Sequence, residues 1–80
     1  MIAEVNSLEI RGREKKVSGR MNREYLIVRL EDETGKIIEL LDWNVENMER
    51  YQKGLIANFR LNLDIGKYTN ISIRDFTITE

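Results

Sequence analysis

The chain of 80 residues has no cysteine, no histidine and a single tryptophan. Without cysteine there is no disulfide framework and no thiolate metal site. Without histidine the commonest general base and a common zinc ligand are both missing. No apolar run approaches the roughly 20 residues that span a bilayer, and the N-terminus carries no basic-then-apolar export signal. These absences set the expectation of a cytoplasmic protein. Nor is there a nucleophile–base pair, a phosphate-cradling glycine loop or a carboxylate dyad, so the chain reads as a binding protein and not an enzyme. No cofactor is implied. The acids Glu31, Asp32, Glu33 and Asp42 lack calcium-loop spacing, and neighbours at a strand end point to opposite sides, so no metal site is expected.

What is present is charge and β-patterning. Residues 1–80 suffice for one domain that buries roughly 60–65% of its unfolded surface, so its core is small. Net charge is −1, but it is unevenly spread. Residues 1–30 hold seven basic and four acidic groups, residues 31–50 two and seven, and residues 51–80 four and three. A polyanion can thus meet a basic region on a mildly acidic molecule. The plainer reading is an ordinary mixed, solvated surface.

Residues 2–11 read as a first strand whose broken alternation points to a bulge or bend, as a long strand shared between two sheets must curve. Residues 12–23 read as a basic hairpin loop with strand ends. Residues 24–31 alternate cleanly, with Leu26, Val28 and Leu30 one way and Tyr25, Ile27 and Arg29 the other. Asp32-Glu33-Thr34-Gly35 is a turn in which glycine can take positive φ. Residues 36–43 return as a third strand in one of two registers. One turns Ile37, Glu39, Leu41 and Trp43 inward, the other Ile38, Leu40 and Asp42. Each buries an acid, which suggests a bulge near the end. A short helix of two to three turns follows, capped by Asn44, with Val45, Met48 and Tyr51 on one stripe and Gly54 just past its end. Leu55, Ala57, Phe59, Leu61 and Leu63 mark a fourth strand, Asp64-Ile65-Gly66-Lys67 a turn, and residues 68–79 a fifth strand with a phase slip near Asp75. Phe59 and Tyr51 are expected in the core.

The order β-β-β-α-β-β is that of the OB-fold, an all-β five-stranded Greek-key barrel that often binds oligonucleotides. The segment Tyr25-Leu26-Ile27-Val28-Arg29-Leu30-Glu31-Asp32-Glu33-Thr34-Gly35-Lys36-Ile37 resembles the strand–turn–strand core of anticodon-binding-type OB domains. Those domains carry an aromatic, alternating Leu/Val, Asp-x-Ser/Thr-Gly and then Ile. They end the third strand near Trp-Asp, and begin the fourth after Lys-Gly or Val-Gly, here Lys53-Gly54. The resemblance spans residues 5–79. Asp42-Trp43 reverses the Trp-Asp order, Glu39 replaces a small residue, and the last loop is short.

The resemblance implies a binding face on the second and third strands with their flanking loops. Single strands need cations along the backbone track and aromatic faces for bases. Tyr25 offers a stacking ring, and Arg29 a phosphate or base contact, or a partner for a neighbouring acid. Arg13, Lys15, Lys16, Arg20 and Arg23 in or beside the first loop are the strongest electrostatic feature. Lys67 and Tyr68 form a cation–aromatic pair in the last hairpin. Trp43 is either a plug of the core or a base-stacking platform. The acids of the second loop repel nucleic acid and so help orient the strand.

The leading expectation is a small stand-alone OB protein that binds single-stranded DNA, more than RNA, with little sequence choice. Replication, recombination or repair would suit it, with a protein partner from those processes. Two alternatives stay open: a protein–protein interaction module contacted through the acidic stretch or an open strand edge, and an RNA- or tRNA-binding domain of a larger enzyme. A thin core also makes a homodimer an option.

Overall fold

The computed structural model describes residues 1–79. Five strands make up about two thirds of it: β1 (Ile2–Ser18), β2 (Arg23–Glu31), β3 (Ile37–Asp42), β4 (Ile56–Ile65) and β5 (Thr69–Ile78). A single 3-10 helix (Val45–Arg50) lies between β3 and β4. The strands close on themselves in the order β1-β2-β3-β5-β4. All neighbours run antiparallel except β3 and β5, which meet in parallel at one pair, Leu41 and Ser72. No helix among the described residues is long and apolar enough to cross a membrane.

β1 closes the sheet by pairing twice. Its first half lies on β4 and its second half on β2. Serving both requires a sharp bend, and register shifts fall between Val5 and Leu8 and between Ile10 and Gly12. Ser7 absorbs the first in the left-handed region at φ 59°, where its N–H donates to Asn58 Oδ1 at 2.9 Å. The expected bend is therefore two bulges. The first loop is shorter than expected. Residues 13–18 continue β1 and only residues 19–22 turn, with Asn22 at φ 48°. Both faces of this ribbon run past the barrel into water, so its charged residues leave no hydrophobic alternation to read.

The core is the inward row of each strand. Leu8, Ile10, Leu26, Val28, Leu30, Ala57, Phe59, Leu61, Ile73 and Phe76 are buried, with Tyr51 from beyond the helix. Three aromatic rings stack at its centre. Tyr51 and Phe76 lie 4.5 Å apart, and Phe59 and Phe76 5.5 Å apart. In β5 the inward positions are Ile73 and Phe76, because the β4–β5 register slips at Arg74, which has no partner between Asp75 and Ile73. The slip falls beside the position expected. The β2–β3 turn is tied by Asp32, whose Oδ1 accepts from Thr34 N, Thr34 Oγ1 and Lys36 N, with Gly35 at φ +88°.

Two expectations need correction. β3 carries no bulge, since Ile37 to Asp42 pair with β2 in continuous register. Leu40 and Asp42 turn inward and Asp42 is 2% exposed. The burial is tolerated because three donors converge on its carboxylate: Tyr51 Oη at 2.5 Å, Asn47 Nδ2 at 2.9 Å and Asn44 N at 2.9 Å. The helix has two turns, within the length expected, but they are 3-10 turns and not α-turns. Asn44 caps it as expected, its side chain accepting from Glu46 N. Tyr51 must swing into the core, so the helix stops at Arg50 and Gly54 belongs to the following turn at φ +96°.

Candidate nucleic-acid interface

Register decides which residues share a face. The outward row of β2 is Tyr25, Ile27 and Arg29, between the inward Leu26, Val28 and Leu30. Across β1 these three pair with Lys16, Glu14 and Gly12. Across β3, Ile27 and Arg29 pair with Leu41 and Glu39. Trp43 directly follows the inward Asp42 and so falls opposite Tyr25.

The two aromatic rings touch, with centroids 5.5 Å apart and planes tilted by 57°. The Arg23 guanidinium carbon lies 4.5 Å from the Trp43 ring centroid. Trp43 is half-buried and lies outside the core, on the outer face beside Tyr25. The inner position of the Asp42-Trp43 pair belongs to the acid. The Trp43 indole is held between a cation and an aromatic neighbour with part of its surface open. Cation–π contact of this kind is worth about 0.5–1 kcal/mol at an exposed site.

An open cleft of about 370 Å³ continues from this cluster toward β5, lined by Arg23, Asp42, Trp43, Asn44, Asn62, Ser72, Ile73 and Arg74. Arg74 faces it because the β5 slip leaves that residue outside the ladder. Arg74, Asn62 and Ser72 were not singled out from sequence. The only signal was the broken alternation of β5, which marked a slip without saying where the extra side chain would go. A second, smaller hollow lies on the same side at Gly12, Arg13, Glu14, Ile27, Arg29 and Glu39. It opens because Gly12 presents no side chain opposite Arg29.

The basic residues of the first hairpin divide between two faces. Lys16 pairs with Tyr25 and Ser18 with Arg23, so Lys16 and Arg23 join the Trp43 side. Arg13 pairs with Val28 and Lys15 with Leu26, which puts both on the opposite face of the ribbon, with Arg13 at the rim of the smaller hollow. Lys15 is also engaged by Glu24 at 3.4 Å. Arg20 lies in the turn, where it is exposed. Arg29 lies 3.6 Å from Glu39, with both side chains more than half exposed. Such a pair contributes about 0–1 kcal/mol and yields readily to a better anion. Among the described residues, Lys16, Arg23 and Arg74 make no ion pair. Lys67 and Tyr68 stand exposed at the tip of the β4–β5 hairpin, the ammonium 5.9 Å from the ring centroid, and they line neither hollow.

Chemically the face offers an aromatic platform, two guanidinium groups beside it, and hydroxyl and amide groups at the cleft floor. Among the described residues no group of three or more acidic side chains is placed to hold a metal ion. No known protein family, curated protein or solved structure matches the chain.

Proposed function

We propose that the closed sheet is an OB barrel and that its β1–β2–β3 outer face binds single-stranded nucleic acid, DNA in preference to RNA, with little sequence choice. The barrel reading is supported by the strand order β1-β2-β3-β5-β4, by the doubly paired β1 and by the helix between β3 and β4. The binding reading rests on one observation above the others. The sole tryptophan lies outside the core, against Tyr25 and under Arg23, beside a cleft that Arg74 borders.

In this reading a base stacks on the exposed part of Trp43 or on Tyr25, each stacked base contributing roughly 1–3 kcal/mol. Lys16, Arg23 and Arg74 follow the phosphates, and Arg29 joins by leaving Glu39. Bases are met by ring faces and not by a set of fixed donors, so sequence preference is weak. Three or four phosphate contacts imply a log–log salt slope of roughly −2 to −3 for a single strand.

Fluorescence anisotropy of labelled oligo-dT tests the reading at about 20 mM and about 200 mM salt. Micromolar or tighter binding that weakens at the higher salt is expected. No binding at the lower salt refutes it. Competition by RNA of matched sequence then decides the sugar preference, since RNA alone offers 2′-hydroxyls.

A further inference from the structure

Away from the Trp43 cluster, the barrel seam is open at one place. β3 and β5 share one pair, Leu41 and Ser72. From there toward the β2–β3 turn, Ile37–Leu40 pair only with β2, and Thr69–Ile71 pair only with β4. The two strands leave facing edges whose backbone groups make no bond to each other among the described residues.

An edge of this kind takes up another strand unless something protects it. Proline is absent from the whole chain, so no position on the β3 edge lacks an N–H. The side chains beside it are apolar and open: Ile37 is 50% exposed, Ile38 39% and, across the gap, Ile71 45%. Ile37 and Glu39 stand on the outer face of β3, Ile38 and Leu40 on the inner face. A strand lying along this edge would meet isoleucine on both faces and an acid on one. The surrounding charge is acidic on balance: Glu31, Asp32 and Glu33 precede the edge and Glu39 lies on it, against Lys36 between them, Arg29 paired with Glu39, and Arg11 near Glu31.

We infer that the β3 edge at Ile37–Leu40 binds an extended peptide as an added strand, and that this peptide is basic on its outer face and apolar on its inner face. Backbone pairing supplies the affinity in such an addition, and alternate side chains supply the choice of partner. The edge lies away from the Trp43 cleft and meets the proposed nucleic-acid face only at Glu39, which pairs with Arg29; the inference rests on backbone pairing, so loss of oligonucleotide binding would leave it standing.

The test is a backbone-amide NMR titration with an acetylated, amidated octapeptide of alternating lysine and valine. Shifts centred on Ile37–Leu40 are expected, with slowed amide exchange there. The same peptide N-methylated at alternate residues, and one with glutamate in place of lysine, should leave those amides unmoved. The double variant E33K/E39K should bind the lysine peptide about tenfold more weakly. The inference is overturned if the lysine peptide does not bind, if all three peptides bind equally, or if the shifts fall elsewhere. It is also overturned if the unliganded protein already pairs with itself through Ile37–Leu40. The peptide comparisons use the unaltered protein and stand even if the double variant fails to fold.

Discussion

The Tyr51 hydroxyl donates to Asp42 Oδ2 at 2.5 Å in the interior of the barrel. That bond links the end of β3 to the residue after the 3-10 helix and holds Asp42 inward. A strand alternates, so holding Asp42 inward turns Trp43 outward. The core contact thus sets the position of the aromatic platform on the surface.

Replacing Asp42 with alanine leaves three donors in or near the core without their acceptor. The expected loss is about 2–4 kcal/mol, since each unsatisfied buried group costs about 1–3 kcal/mol and the sites partly relax. Tyr51→Phe removes one donor and leaves Asp42 two others, so about 1–2 kcal/mol is expected. Urea unfolding measures both. Equal stability of Asp42→Ala and the parent would contradict this role.

The same bond gives an alkaline signature. Burial, and then the hydrogen bond and charge of Asp42, raise the Tyr51 phenol above its ordinary value of 10.0. The folded state therefore keeps a proton that the unfolded chain releases. This contribution is fully present below pH 10 and is lost as the pH rises beyond it, at up to about 1.4 kcal/mol per pH unit. Above pH 10 the stabilities of the parent and Tyr51→Phe should converge. Parallel curves would show that the phenol is not held in this way.

Lys15 and Lys16 are adjacent in sequence and lie on opposite faces of the β1–β2 ribbon. Lys16→Ala should weaken oligo-dT binding and flatten the log–log salt slope by roughly 0.7. Lys15→Ala should leave the slope unchanged, because Lys15 faces away and is engaged by Glu24. Equal effects would mean that the hairpin acts as a diffuse basic tip and not as part of one face.

Gly35 holds φ +88° in the β2–β3 turn with no heavy atom within 4 Å of the place a Cβ would take. Its substitution therefore tests conformation without steric clash. Gly35→Ala should cost about 1 kcal/mol through left-handed strain alone, read as a shift in thermal midpoint. A neutral result would mean the turn can change type.

Local chemistry made much of the fold readable in advance. The alternation from Tyr25 to Leu30, the Asp32–Gly35 turn and the Asn44 cap each fall where the residues indicate. The β3 register was not readable. Ile37-Ile38 and Leu40-Leu41 place apolar groups on both faces, and the deciding contact comes from Tyr51, beyond the helix. The extent of β1 was hidden too, because a ribbon in water on both sides carries charge on both faces. In the candidate site, Tyr25, Arg23 and Trp43 could be named from sequence, but not that they touch. Arg74 was out of reach, since it comes to Trp43 only through the β3–β5 pairing and a slip in β5.

Trp43 is the only tryptophan, so its emission reports on the proposed face without a label. The most direct measurement follows that emission and oligo-dT anisotropy in one titration at low salt, with Trp43→Phe and Trp43→Ala alongside. The account predicts quenching that saturates together with the anisotropy and reverses on adding salt. It further predicts binding retained in large part by Trp43→Phe and weakened roughly 5- to 150-fold in Trp43→Ala, the equivalent of one lost stacked base. Anisotropy that rises while Trp43 emission stays constant, with Trp43→Ala binding as the parent does, would contradict it.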